Sequence, residues 1–380
     1  MCSLAVINGS LNGNKISSNS NTVQMGSLSQ IPKTMKAGQW DPVQKEVIIS
    51  ELPVPSPGPG EFLVKIHSAS LCHSDMMSIN QANASEGQKP VTLGHEGVGH
   101  IASFHPSARN KGFKEGDAVG FLYVRGVCFE CEGCLTHNML CTEKAPLLQG
   151  FGEIDGFFAE YALVDYHNAV VLDPKLWDLD RASAVFCAGI TAFHSVDSSE
   201  LSPGDWFGVV GAGGLGQLAT QYAKAMGCKV AAIDIADENL AECKKQGADL
   251  IFNSMTNKNY AEELKKATGG GCKTVAVYTN AEPAFATATP LIKLGGILMV
   301  IGLPKSNAIP VNAMDIVLGK YRIKADSTSI PQRMVKATDF TAKHGIRPVV
   351  EVKGGLEALP GMIEDMMQGR VKGRTGVVFR

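Results

Sequence analysis

From residue 206 to about residue 325, short apolar runs alternate with stretches in which apolar side chains recur every three or four positions. Trp206-Phe207-Gly208-Val209-Val210, Lys229 to Asp234, Thr274 to Tyr278 and Ile297 to Ile301 read as strands apolar on both faces. A parallel sheet covered by helices on both sides demands that pattern. Between the first two strands, Leu215, Leu218, Ala219, Tyr222, Ala223 and Met226 fall at helical spacing, so one face of that helix lies on the sheet. The texture upstream differs. Pro53, Pro55, Pro57, Gly58, Pro59 and Gly60 form a turn-rich connector into Phe62-Leu63-Val64-Lys65-Ile66, a strand. Short strands and Gly-rich turns continue to about residue 170, so this part is expected to be mainly β. The last fifty residues match neither texture strongly.

One motif sits at the junction of the first strand and helix. Gly211-Ala212-Gly213-Gly214-Leu215-Gly216 is a G-x-G-x-x-G match in the strand–turn–helix context that gives it meaning. Gly211 permits the tight turn, Gly213 lets the backbone approach a pyrophosphate, and Gly216 lets helix and strand pack closely. The helix N-terminus, from Gly214 and Leu215, supplies free N–H groups and a positive dipole for the anion. Asp234 ends the next strand, eighteen residues after Gly216. A carboxylate there accepts hydrogen bonds from a ribose diol and repels a 2′-phosphate, and no Arg or Lys follows until Lys244. The expected dinucleotide is therefore NAD rather than NADP.

The chain's 380 residues exceed one ordinary core and imply two domains. A formal net charge of -2 implies no basic face, which argues against a nucleic-acid partner. No apolar run reaches the roughly 18 residues of a membrane helix, so no membrane partner is expected. Residues 1–34 are rich in Ser and Asn without an acidic residue, and the expectation is a disordered tail rather than a secretory signal. A mitochondrial presequence is the lesser alternative to a cytoplasmic protein, because the segment lacks arginine. In that setting the ten cysteines are reduced, and clustered ones point to metal.

The cysteines fall into two contrasting groups. Cys128, Cys131, Cys134 and Cys141 crowd into fourteen residues, as a closed structural zinc site would. Cys72, His95 and Cys187 are dispersed over more than a hundred residues, and a Cys/His/Cys set of that kind leaves a coordination position open for a substrate oxygen. Any one of the three alone is more often a core residue than a ligand.

Together these features resemble a zinc-dependent alcohol dehydrogenase of the medium-chain dehydrogenase/reductase family, similar to the yeast-type enzymes. The likeness covers residues 36–380. It rests on Cys72-His73-Ser74-Asp75, Gly94-His95-Glu96, the cysteine lobe, Cys187-Ala188-Gly189-Ile190-Thr191, the glycine fingerprint and Lys372-Gly373-Arg374. The resemblance implies that Cys72, His95 and Cys187 hold a catalytic zinc and that the four lobe cysteines hold a structural one. It implies that Ser74 hydrogen-bonds the substrate oxygen and takes its proton, that Asp75 orients the imidazole of His95, and that Glu96 lies behind the metal. His73 and Arg374 are expected at the coenzyme pyrophosphate and Thr191 at the nicotinamide. The ion acts as a Lewis acid, its charge offset by two thiolates. The implied architecture is α/β: a GroES-like, mainly-β catalytic domain over 35–190 and 328–380, and a doubly wound Rossmann domain binding NAD over 191–327. Relatives pair through the edge of the coenzyme sheet, so a homodimer or homotetramer acting on a small alcohol, aldehyde or ketone is expected.

Several positions depart from the family pattern. Met77 stands where many relatives carry the outer histidine of a proton relay. Six residues, rather than seven, separate Cys134 from Cys141. Ile79, Asn80, Gln81, Ala82 and Asn83 replace a region where yeast-type relatives place tryptophans, which implies a wider cleft and a substrate larger than ethanol. Residues 327–335 lack the usual coenzyme-side sequence, and Asn239 stands where a ribose-contacting lysine is common. Two other readings stay open: a zinc-free double-bond reductase of the same superfamily, and a dinucleotide-binding protein without activity.

Overall fold

The chain is seen in a computed structural model that describes residues 31–79, 88–152, 154–328, 330–371 and 373–380. The tail reading for residues 1–30, and those for Asn80, Gln81, Ala82, Asn83 and Lys372, lie outside the described residues.

The alternating texture of the middle of the chain becomes a six-stranded sheet. Its spatial order is Leu250–Asn253, Lys229–Asp234, Trp206–Val210, Cys272–Val277, Ile292–Val300 and Tyr321–Ala325. Every adjacent pair is parallel. The chain starts in the centre, winds outward to one edge, and returns to build the other half, which is doubly wound order. The central strands are buried on both faces. On one side Phe207, Val209, Ala232 and Ala276 pack with Leu218, Ala219 and Tyr222 of the fingerprint helix Gly214–Ala225. On the other, Val210, Ile233, Val275 and Leu298 pack around Phe285.

The β-rich remainder builds a seven-stranded sheet. Ala169–Val171, Ala118–Phe121, Glu96–Phe104, Glu61–Leu71, Arg374–Val378 and Val350–Val352 follow one another, and Tyr161–Asp165 also pairs with Glu61–Leu71. All its pairs are antiparallel except Val350–Val352 with Arg374–Val378. The last fifty residues, of no clear texture in sequence, thus supply two strands of this sheet. A three-stranded sheet of Glu46–Pro53, Thr34–Asp41 and Val91–Thr92 lies alongside in the chain.

The two sheets share a core. Val98, Ala118 and Leu122 belong to the same buried cluster as Val209 and Leu218, joined through Val185, Phe186 and Phe193. Phe186 and Phe193 flank Cys187, so the joint between the sheets also carries a candidate ligand.

Candidate functional site

Three separate turns deliver the dispersed ligands. The strand Glu61–Leu71 ends just before Cys72, and a tight turn follows in which the Asp75 amide donates to Cys72 O at 3.0 Å. That turn places Ser74, half-buried, between Cys72 and the short helix Asp75–Ile79. His95 sits just before the strand Glu96–Phe104. Cys187 is the N-cap of the helix Ala188–Asp197, where the first backbone turn runs from Thr191 N to Cys187 O at 2.9 Å. The ligand atoms of Cys72, His95, Cys187 and Glu96 all lie within 4.8 Å of one another.

Hydrogen bonds fix this group from behind. Asp75 is fully buried and bridges two ligands: Oδ1 lies 2.6 Å from His95 Nδ1, and Oδ2 accepts from the Cys72 amide at 2.8 Å. The carboxylate therefore accepts a hydrogen bond from Nδ1–H, which fixes the tautomer whose Nε2 lone pair is left for a metal. Glu96 is equally enclosed. Its Oε2 accepts from Ser70 Oγ at 2.7 Å and its Oε1 from Arg374 Nη1 at 2.8 Å. Burial pushes the Glu96 carboxyl up to about 8 while the Arg374 guanidinium pulls against it. The Cys187 thiol, hydrogen-bonded to Cys72, draws Cys72 well below the ordinary thiol range; burial opposes this and Arg374 assists it. Cys187 is raised by the same bond and by burial.

The compact group passes a direct geometric test for zinc. Tetrahedral coordination with Zn–S of about 2.3 Å separates the sulfurs by about 3.8 Å. Here Cys128–Cys134 and Cys131–Cys141 are 3.9 Å apart and Cys128–Cys141 is 3.7 Å. Backbone amides of Cys131, Cys134 and Thr142 donate to Sγ atoms at 3.4 Å, stabilising thiolate. Hydrogen bonds from Thr142 and the Cys134 amide bring the Cys131 thiol down to about 5. The six-residue return to Cys141 runs hard against Gly133, where an added Cβ would stand 1.8 Å from Leu140 O. The shortened spacing is thus accommodated by a glycine inside the helix Glu132–Thr136.

Comparison with known proteins agrees with this chemistry. Residues 58–174 match the alcohol dehydrogenase GroES-like domain, and residues 214–343 match the zinc-binding dehydrogenase family. An alcohol dehydrogenase of Geobacillus stearothermophilus is 35% identical over 343 residues, 90% of this chain and 98% of the relative. One from Moraxella sp. (strain TAE123) is 34% identical over 341 residues, again 90% and 98%. The chain belongs to the zinc-type medium-chain alcohol dehydrogenase family. Its fold is shared with acetophenone reductase from Geotrichum candidum, solved in complex with NAD, at a TM-score of 0.79 and 23% identity, covering 92% of this chain and 98% of that one.

For a member of that family the fingerprint residues fit a dinucleotide. Gly211 has φ of +90°, a conformation glycine adopts freely. A Cβ on Gly216 would meet Gly211 O at 2.1 Å, so helix and turn touch. A Cβ on Gly213 would meet no atom within 4 Å, which leaves open the space a pyrophosphate needs. Gly214 lies against Arg374, whose Cγ would be 2.9 Å from an added Cβ. Arg374 therefore joins the helix N-terminus to Glu96, connecting the coenzyme side of this alcohol dehydrogenase fold to its metal side. Leu215 packs half-buried on the main core. Asp234 Oδ2 accepts from Ala212 N at 2.5 Å, and Oδ1 accepts from the Ile235 and Ala236 amides at 2.8 and 2.9 Å. Thr191 is buried on the helix behind Cys187. His73 is exposed and its Nε2 lies 3.1 Å from Asn280 Nδ2, beyond the strand Cys272–Val277.

Four neighbours were not legible in the sequence: Ser70, Asn280, Tyr123 and Phe151. The last two flank the His95 ring, with centroids 5.2 and 4.8 Å away. Neither follows a motif; only the sheet closure brings them there. Ser70 pairs in register with Glu96 only after a register shift between Ile66 and Ser68, which alternation from Phe62 does not foretell.

Proposed function

We propose that this protein is a zinc-dependent alcohol dehydrogenase or carbonyl reductase that uses NAD(H), with Cys72, His95 and Cys187 as catalytic zinc ligands. The observation that carries the reading is the convergence of those three ligand atoms, with Glu96, inside 4.8 Å, oriented by the buried Asp75. Zinc bound there supplies Lewis acidity, which lowers the pKa of an alcohol or polarises a carbonyl; bound nicotinamide supplies the hydride acceptor or donor.

The chain's own groups do the rest. Ser74 hydrogen-bonds the substrate oxygen, taking its proton in oxidation and returning it in reduction. Met77 is 57% exposed and has no basic lone pair, so the proton leaves Ser74 to water. Asp75 holds the tautomer of His95. Arg374 and the Gly213–Gly216 turn seat the pyrophosphate, His73 flanks it, Thr191 lies behind the nicotinamide, and Asp234 reads the ribose. Glu96 and Arg374, paired and buried, keep the metal side and coenzyme side at fixed separation. The sequence after the first ligand, where Ile79 stands in a region that carries tryptophans in yeast-type relatives, supports a substrate larger than ethanol. The catalytic part takes 35–190 and 328–380, and the coenzyme part 191–327.

We further infer a homodimer or homotetramer. The outer strand Tyr321–Ala325 is unpaired on one side among the described residues, and exposed apolar side chains gather in the segments around it, with Leu294 and Val317 each 80% exposed. No helix among the described residues is long and apolar enough to cross a membrane. Nine described cysteines are free, which supports a reducing compartment such as the cytoplasm.

Metal analysis together with a panel of alcohols, aldehydes and ketones tests the reading. Two zinc ions per chain and NAD-linked turnover are expected, with bulky substrates preferred over ethanol. Alkene reduction without zinc, or coenzyme binding with no turnover, would each overturn it.

A further inference from the structure

Beside the expected ribose reader lies a cavity of ≈ 450 Å³ lined by Ala236, Glu238, Asn239, Gly369, Arg370 and Val371. Two distant segments form it. Ala236, Glu238 and Asn239 start the helix Asp237–Lys245, directly after Asp234. Gly369, Arg370 and Val371 form the turn that follows the helix Leu359–Met367 and leads to Arg374. Asn239 ties the cavity to the ribose position, because its Nδ2 lies 3.5 Å from Asp234 Oδ1.

Among the described residues lining this cavity, Arg370 is the cation, and it is held. Its Nε and Nη2 both donate to Asp365 Oδ1, at 2.9 and 2.6 Å, and Nη2 lies 3.9 Å from Glu364 Oε1. The backbone repeats the restraint, with the Arg370 amide donating to Asp365 O at 2.8 Å. Asp365 thus fixes where the guanidinium sits and cancels its charge. Glu238 lines the same cavity, and Asp234 lies beyond Asn239.

We infer, on the coenzyme reading above, that Asp365 is a coenzyme-specificity residue: by holding Arg370 as an ion pair, it denies a 2′-phosphate the cation placed to receive it. Discrimination against the phosphorylated dinucleotide is then built in two layers. Asp234 repels the phosphate directly. Asp365 withholds the compensating charge, which a guanidinium would otherwise offer as a two-pronged donor to phosphate oxygens. The ion pair is about half-exposed, so a phosphate competes with Asp365 for Arg370 on modest terms. Removing Asp234 alone therefore relieves repulsion without supplying an anchor, and the two positions couple non-additively.

Titration calorimetry with ADP-ribose and 2′-phospho-ADP-ribose reads this without turnover or metal. In the unmodified protein ADP-ribose binds and its 2′-phosphorylated form binds far more weakly. Asp234→Gly narrows the gap. Adding Asp365→Asn strengthens binding of the phosphorylated ligand by a further factor of about ten, while ADP-ribose affinity changes less than twofold. Arg370→Gln in that double variant removes the gain. If Asp365→Asn gives no gain, or Arg370→Gln leaves the gain in place, the inference fails while the coenzyme reading stands. Should Asp365→Asn not fold, Asp365→Ser carries the same two outcomes. If ADP-ribose does not bind the unmodified protein, the coenzyme reading falls and takes this inference with it.

Discussion

At the scale of single residues, Asp75 governs the metal cluster although it is not expected to touch the ion. It fixes the ring of His95 and the backbone of Cys72 with its two oxygens. Asp75→Asn keeps the volume but weakens the pull on the Nδ1 proton, so zinc affinity at this site is expected to fall about 10–100-fold. Zinc content after dialysis, with the lobe's ion as internal reference, checks this; full retention would remove Asp75 from the role. Ser74 is the complementary case. Ser74→Ala is expected to lower kcat by about a hundredfold or more, since proton transfer by a placed group contributes on that order. NADH affinity should stay unchanged. An unaltered kcat would show that water alone handles the proton.

Among elements, the cysteine lobe depends on a glycine that no metal pattern predicts. Gly133→Ala forces Leu140 O, and the return segment that carries it to Cys141, away from position 133. One zinc per chain instead of two, with a lowered melting temperature, is the expected outcome; two retained zincs would refute it. The edge strand is tied differently. Arg322 and Lys324 on it bind Glu200, and their hydrogen bonds bring that carboxyl down to about 2. Because the folded value lies below the ordinary one of about 4.3, this contribution is present above that value and fades as pH falls toward 2. The melting-temperature gap between the unmodified protein and Glu200→Gln should hold near neutral pH, narrow below about pH 5 and close only as pH approaches about 2. The strands Trp206–Val210 and Lys229–Asp234 were legible to the residue, because burial on both faces leaves an unbroken apolar run. Leu250–Asn253 and Tyr321–Ala325 were not. They form the two edges of that sheet and are partly open to solvent; the first holds only three apolar residues in a row, and the second alternates apolar with charged residues. The strand read at Ile297 begins at Ile292 for the same reason, its first half being mostly exposed. In the site, Cys72, His95 and Cys187 were legible as a set, whereas Tyr123 and Phe151 depend on long-range closure that leaves no local trace.

Across the whole molecule, the two sheets are coupled by shared core and by Arg374, which spans from Glu96 to Gly214. The apolar edge adds an external constraint. Replacing Leu294 and Val317 together with Asp is expected to shift the protein to a smaller species in light scattering while leaving the zinc content at two; an unchanged mass would exclude that edge as the contact. The placement of Arg374–Val378 bears also on biosynthesis. This segment inserts between Glu61–Leu71 and Val350–Val352, pairing Thr375 with Leu71. A nascent polypeptide therefore cannot seal its metal-bearing half until translation has passed Val378, and the helix-and-sheet half, whose strands close by Ala325, is free to mature first while still tethered to the ribosome.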